Sequence, residues 1–342
     1  MIEQGTDANT DSLATPIQDN VSVTVFTTGG TIAMGRSHNS LGAVPQSGID
    51  LLSPIRLLHP ELKLEQVNLY AKPSASITLH DVQHLADAIL DKNLAGCSGA
   101  VVTHGTDTLE ETAFALSLLL DTDHPVVVTG AMRNSSEPGP DGPANLNAAI
   151  LVAASSEARG LGPVVLFGDE LHAPHLVRKI HSSRPHAFSS EPFGPIGHIV
   201  EGRLDLAMTS RKSPSGMQLG AAIQAVPVIQ AGLDLEPETI AAFSSANIGA
   251  LVIAGAGGGH VSSRVMDAIS DLASRIPVII TSRVGMGHTL SRSYTYDGSE
   301  MDLSRRGVLN GGRWRPAQAR IIAQIVLSNG GSKAELADWL AR

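Results

Sequence analysis

The 342-residue chain contains a single cysteine, Cys97. One thiol allows no intrachain disulfide and no metal cluster built on several thiolates. The simplest reading of Cys97 is a small, partly buried residue just ahead of the apolar run "GAVVT". Aromatics are equally scarce at 3%, so a core must be built from Val, Ile, Leu and Ala. The chain lacks any dense run of Lys or Arg and carries a formal net charge of -9. Phosphate backbones and acidic membrane surfaces would repel it, which sets aside nucleic acid and membranes as partners. No apolar run reaches the roughly 18 residues that a membrane-spanning helix requires. The opening "MIEQGTDANTDSLATPIQDN" has neither a basic n-region nor an apolar h-region. It reads as a disordered arm over residues 1–20, and a cytoplasmic protein is expected.

What is present is a repeated alternation. The hydrophobic fraction is 42% and the charged fraction 17%, enough apolar material for about two domains of roughly 150 residues each. Short β-branched runs stand at "VSVTVF" (21–26), "EQVNLY" (65–70), "GAVVT" (99–103), "PVVVTG" (125–130) and "PVVLF" (163–167). Between them, "LHDVQHLADAILD" and "LEETAFALSLLL" repeat apolar residues at helical spacing. Strand followed by helix, several times over, predicts a parallel sheet covered on both faces. The pattern fades over 206–224, a Ser/Gly/Lys-rich stretch read as a linker. It resumes with "VPVIQ", "GALVIA" and "IPVIITS", and with helices at "SSRVMDAISDLASR" and "PAQARIIAQIVLS". The expected fold class is α/β, with two doubly wound domains: a larger one over 21–205 and a smaller one over 225–342.

Open parallel sheets bind ligands beyond the carboxyl ends of their strands. Two such ends are dense in glycine and threonine: "TTGGTIAM" (27–34) and "THGTDTLEETA" (103–113). Neither is a phosphate loop, because no lysine follows Gly29 or Gly30, and "GGTIAMG" lacks the dinucleotide spacing. Thr108 and Glu111 have the spacing of a capping box that would start the helix "LEETAFALSLLL". That accounts for Thr108 and Glu111 and leaves Thr106 and Asp107 without a structural role. A hydroxyl on a tight glycine turn facing a Thr-Asp loop suits acyl transfer, if a neighbouring base takes its proton. Backbone N–H groups of the turn, at Gly30, could stabilise an oxyanion. This chemistry calls for no metal and no organic cofactor, and its partner is a small-molecule amide or ester. On residues alone, Lys179 in "LVRKIHS" reads as an ordinary solvated lysine.

The two segments "TGGTIA" (28–33) and "THGTDTLEETA", in that order, resemble the signatures of the bacterial-type L-asparaginases and glutaminase-asparaginases. The likeness continues through "PVVVTGAMRNSSEPGPDGPANLNAA", "GPVVLFGDELHAPHLVRKIHSSRPHAF" and "SRVGMGHTL". The resemblance implies Thr31 as primary nucleophile, with Thr106, Asp107 and Lys179 as a second cluster supporting proton transfer and water attack. It implies Ser74, or Ser76 in a shifted register, as the residue meeting the substrate carboxylate, and the Ala131 carbonyl facing the leaving amide nitrogen. It also implies a homotetramer, a dimer of dimers, with sites at subunit contacts.

The chain departs from that family at several positions. Residues 32–58 hold no tyrosine where the family carries a mobile-loop tyrosine, and His38, Asn39 and Ser40 stand there instead. Ala75, Gly258 and Tyr294 fall where the family has Gln, Asn and an acidic residue that clamp the amino-acid backbone. The expected activity is asparagine hydrolysis. The alternatives are another amide (glutamine or an N-substituted asparagine) and, from a different class, a non-catalytic amino-acid sensor. His38, Tyr294 and Tyr296 are candidates to replace the missing tyrosine.

Overall fold

The computed structural model describes residues 21–36, 43–45, 50–209 and 215–342. The expectations for the arm 1–20 and for His38, Asn39 and Ser40 lie outside those residues. Strand β1 (Ser22–Gly29) is buried from Val23 onward, as befits a central strand covered on both faces. A small antiparallel hairpin follows, β2 (Met34–Arg36) with β3 (Ala43–Pro45), then helix α1 (Ser53–Leu58) and strand β4 (Lys63–Lys72). Next come α2 (Leu79–Leu94), β5 (Gly99–Thr103), α3 (Leu109–Leu119), β6 (Val126–Thr129), α4 (Gly142–Ala154) and β7 (Pro163–Phe167). Strands β4, β1, β5, β6 and β7 lie side by side and parallel. The period-2 alternation of the strands divides their side chains between two layers. Phe26, Val102 and Val128 meet α2 and α3 through Leu85, Ile89 and Phe114. Val25, Val101 and Val127 meet α4 through Leu146 and Ile150.

The expectation of a purely parallel sheet is corrected at one edge. β8 (Glu170–His172) runs antiparallel to β7; after the short pair β9 (Arg178–Lys179) and β10 (Phe188–Ser189), β11 (Gly197–Val200) and β12 (Arg203–Leu206) extend the edge, also antiparallel. The cause is two tight turns. Gly168-Asp169 has φ of 59 and 63, and Glu201-Gly202 has φ of 49 and 75. Two consecutive left-handed residues are what a two-residue hairpin loop demands.

The second sheet is parallel throughout, in the order β13 (Val228–Gln230), β14 (Leu251–Gly255), β15 (Val278–Ser282), β16 (Leu309–Asn310). Its helices are α5 (Pro237–Ala241), α6 (Met266–Ala273), α7 (Glu300–Arg305), α8 (Pro316–Ser328) and α9 (Lys333–Ala341). The fold is therefore α/β with a larger N-terminal and a smaller C-terminal domain. One apolar cluster runs through both, joining Phe114 to Val252, Ile279, Trp314 and Ile322. The Phe114 and Trp314 rings stand 5.4 Å apart. The connecting stretch, described from 215, is tied to both bodies. Met217 N donates to Leu118 O (2.9 Å) and Gly220 N to Ser328 Oγ (2.9 Å).

Candidate active site

The two glycine-rich loops touch backbone to backbone. Gly30 has φ of 85, and a Cβ on it would stand 2.4 Å from Gly105 Cα. Gly29 has φ of 109, and its Cβ would stand 2.4 Å from Lys72 O. What the glycines admit is thus another stretch of chain, and any side chain here would force the loops apart. Thr31 opens the 3-10 turn Thr31–Ala33 directly after this contact and is half-buried. Thr28 Oγ1 donates to Thr103 O at 3.0 Å, pinning the first loop to the end of β5.

The second loop is held from below by His104, which is fully buried. Its Nδ1 lies 2.8 Å from Gly105 O, and a carbonyl only accepts, so Nδ1 carries the proton. Nε2 then accepts from Thr112 Oγ1 at 3.0 Å. Burial lowers the His104 pKa, which keeps this ring neutral. Above the loop, the Ser74 side chain covers Gly105: a Cβ there would stand 2.8 Å from Ser74 Oγ. Ser74 O accepts from Thr108 Oγ1 at 2.7 Å.

That bond corrects the predicted capping box. Thr108 occupies the N-cap position of α3 but makes no side-chain cap bond, because its hydroxyl serves Ser74 instead. The Glu111 carboxylate is taken by Arg320 of α8. The helix begins where expected for a different reason.

Thr106 is buried, and its Oγ1 accepts from Lys179 Nζ at 2.9 Å. The same Nζ donates to Asp107 Oδ1 at 2.7 Å. Lys179 is therefore not the solvated lysine that its local sequence suggests; its side chain is 15% exposed against 71% for Asp107. An ion pair that open on one side contributes at most about 1 kcal/mol to stability. Its main consequence is to set an amine beside a threonine hydroxyl. Lys179 sits on β9, whose backbone is fixed from both domains. Lys179 N donates to the Glu110 carboxylate at the start of α3. Arg315, at the N-cap of α8, donates to Leu176 O (3.0 Å) and Val177 O (2.6 Å), and Gln318 Nε2 donates to His175 O (3.1 Å). Burial raises the Glu110 pKa, against the hydrogen bond from Lys179 N and the charge of Arg315.

The loop after β6 forms the fourth wall. A Cβ on Gly130 would stand 2.5 Å from His104 O and 3.5 Å from Thr106 Cγ2. Ala131 is fully buried. Asn145 Nδ2 donates to Gly130 O at 3.0 Å, and the Asp141 carboxylate accepts from Met132 N and Arg133 N. Gly142 lies against Ile32 Cγ1 and Ala131 Cβ, closing the ring back to the first loop. Segments around Thr31, Ser74, Thr106 and Ala131 thus meet at the carboxyl ends of β1, β4, β5 and β6. Sequence reasoning missed Asp141, Asn145, Glu110 and Arg315; the only trace of the first two was the "PDGPANLN" stretch between β6 and α4.

Of the other candidates, Gly258, Tyr294 and Tyr296 lie on the C-terminal domain and Ala75 beside Ser74 on the N-terminal one. Tyr296 OH is 2.9 Å from His260 Nδ1, and His260 Nε2 is 3.0 Å from Glu300 Oε2. Burial raises the Glu300 carboxyl, but hydrogen bonds from Tyr294 N and Ser293 N, with His260, outweigh it and hold it below the usual range. A carboxylate accepts, so His260 Nε2 carries a proton and donates to Glu300. Tyr294 stacks edge-on against His260 at 5.2 Å. Ala75 is exposed, and Gly258 lies against Leu290. Among the described residues no group of three His, Cys, Asp or Glu side chains could hold a metal ion.

A two-domain α/β protein with a threonine–lysine–aspartate cluster at its strand ends is a class with known members. Residues 22–212 match the family described as "Asparaginase, N-terminal", and residues 225–340 match the "Glutaminase/Asparaginase C-terminal domain". The chain is 31% identical over 313 residues to an L-asparaginase of Bacillus licheniformis, covering 91% of this chain and 96% of that one. It is 30% identical over 322 residues to L-asparaginase 2 of Escherichia coli strain K12, covering 90% and 88%. A crystal structure of a "Probable Cytoplasmic L-asparaginase" from Campylobacter jejuni superposes with a TM-score of 0.84 at 26% identity, over 94% of this chain and all of that one. The chain belongs to the bacterial-type L-asparaginase family.

Proposed function

We propose that this protein hydrolyses the side-chain amide of L-asparagine, giving L-aspartate and ammonia, with Thr31 as nucleophile. The observation that carries the reading is the Lys179 amine, hydrogen-bonded to both Thr106 Oγ1 and Asp107. In the first step Thr31 Oγ bonds to the amide carbon, and its proton leaves for a neighbouring base as the tetrahedral oxyanion forms. Loss of ammonia, carrying that proton, leaves an ester on Thr31. The Ala131 carbonyl faces the departing nitrogen. Water, losing its proton to the Thr106–Lys179–Asp107 cluster, then adds to the ester, and the C–O bond to Thr31 breaks. Backbone N–H groups of the Gly30 turn supply oxyanion stabilisation, worth roughly 3–4 kcal/mol per donor. Ser74 meets the substrate carboxylate. A neutral amine is the competent base, and the Asp107 carboxylate orients it.

A second reading is the same chemistry on another amide, glutamine or an N-substituted asparagine. It is favoured by the exposed Ala75, by Gly258 against Leu290, and by Tyr294 at the expected clamp position. We place the protein in the cytoplasm and read it as a dimer of dimers. The Campylobacter jejuni protein, named "Probable Cytoplasmic L-asparaginase", supports the location, whereas a Haemophilus influenzae relative is named "Probable L-asparaginase periplasmic". Ammonia release from asparagine, glutamine and simple amides, with wild type beside Thr31→Ala, tests the assignment. The expected result is release from asparagine and at least a 10³-fold loss in the variant. Turnover confined to amides without an amino-acid backbone would remove the first reading.

A further inference from the structure

Two side chains of α4 serve the loop after β6 rather than their own helix. Asp141 stands at the N-cap, where a carboxylate ordinarily accepts from N–H groups of the first turn. Pro143, in that turn, has no N–H to offer. The Asp141 side chain makes no cap bond. Its Oδ2 accepts from Met132 N at 2.9 Å and its Oδ1 from Arg133 N at 2.8 Å. Asn145 lies one turn further on, on the same face of the helix, and is buried. Its Nδ2 donates to Gly130 O at 3.0 Å and to Asp141 Oδ2 at 3.3 Å. Its Oδ1 accepts from Gly168 N, just past β7, at 3.1 Å.

These bonds fix a direction. A trans peptide unit is planar, and its C=O and N–H point opposite ways. The unit joining Ala131 to Met132 gives its N–H to Asp141, so the Ala131 carbonyl points away from that carboxylate. The unit before it is set in the same way by the bond from Asn145 to Gly130 O. Ala131 is fully buried, and a Cβ on Gly142 would stand 3.3 Å from its Cβ and 2.9 Å from Ile32 Cγ1, next to Thr31. On the other side, a Cβ on Gly130 would stand 3.5 Å from Thr106 Cγ2. The carbonyl is held among the segments that carry both threonines.

A carbonyl oxygen only accepts. It can receive an N–H from the departing nitrogen of an amide. That bond strengthens as the nitrogen gains the Thr31 proton and the C–N bond breaks. The leaving oxygen of an ester carries no hydrogen, so the same carbonyl meets it lone pair to lone pair. A contact that attracts one leaving group and repels the other discriminates between them.

We infer that Asp141 and Asn145 are positioning residues that make the site select amides over esters, by aiming the Ala131 carbonyl at the leaving atom. The inference rests on the amide-hydrolase reading and names a specificity element within it.

The experiment compares asparagine with the β-methyl ester of aspartate, which delivers the same acyl group to Thr31 and releases methanol in place of ammonia. If wild type prefers glutamine, that amide and the γ-methyl ester of glutamate are used. Wild type, Asp141→Asn and Asn145→Ser are compared by kcat/KM, with melting curves to exclude unfolding. This ratio reports acylation, so hydrolysis of the Thr31 ester common to both substrates drops out. In each variant the amide value should fall by about tenfold or more, while the ester value stays within about twofold. A general loosening of the site would lower both together. Each variant removes a separate bond to the loop, so if one does not fold the other decides. Equal losses on amide and ester, or an unchanged amide value in a folded variant, overturns the inference. Failure of the underlying reading looks different: wild type then releases no ammonia from either amide, before any variant is compared, and the inference falls with it.

Discussion

At the scale of single residues, the site depends on one amine shared by two acceptors. Lys179 Nζ bonds Thr106 Oγ1 and Asp107 Oδ1 at 2.9 and 2.7 Å. The two bonds form a unit, and units give non-additive losses on mutation. Lys179→Met should lower kcat by about 10²–10⁴-fold, the usual range for proton-transfer groups. Thr106→Val should cost a similar factor. The double variant should be no worse than the poorer single variant by more than about tenfold. Steady-state kinetics on the three proteins, with melting curves to exclude unfolding, decide the matter. Fully additive losses would mean that the two side chains act in separate steps. Thr106 and Asp107 were legible beforehand because each sat at a strand end with no structural task. From the residues alone Lys179 was not, since 73 positions separate it from Thr106 and its two-residue strand carries no periodic signal; only the family resemblance singled it out.

Between elements, the chief event is the docking of α8 against the segment that precedes Lys179. Arg315 donates to two successive carbonyls, which a single ammonium cannot copy with the same fork geometry. Arg315→Lys should therefore fail to restore what Arg315→Met removes. Both should reduce kcat by about tenfold or more with little change in KM, because displacing Lys179 by even about 1 Å harms the chemistry more than the binding. A loss seen only in KM would reassign Arg315 to substrate contact. The sequence made α8 readable to the residue, as "PAQARIIAQIVLS" with its leading proline, and β5 and β7 as well. It hid the antiparallel edge, because that edge turns on Asp169 and Glu201 adopting φ of 63 and 49, which residue type alone does not announce. It also suggested a capping box at Thr108 that the nearby Ser74 carbonyl displaces, a tertiary contact that local spacing cannot foresee.

For the molecule as a whole, a core shared between both sheets makes its stability a collective property, and pH should expose that. His172, the last residue of β8, is fully buried, with Nδ1 2.9 Å from Ser190 Oγ. Glu170 Oε2 lies 3.4 Å from Nε2, yet Nε2 makes no hydrogen bond, and the carboxylate is 41% exposed to water. Burial prevails over that weak attraction and, with the charge of His198, pushes the His172 pKa down to about 4. An unfolded histidine titrates near 6.5. Between those values the unfolded chain binds a proton that the folded chain refuses, so unfolding becomes easier as pH falls. The contribution is present in full above about 6.5, is lost progressively toward about 4, and amounts to roughly 3 kcal/mol for His172. His175, also held near 4, adds a further loss in the same window. Melting temperature measured from pH 8 to pH 4 should fall most steeply below about 6.5. His172→Gln should lower the plateau but flatten that slope, since an amide cannot take up the proton. An unchanged slope in His172→Gln would show that carboxylates, not this buried ring, govern the acid limb.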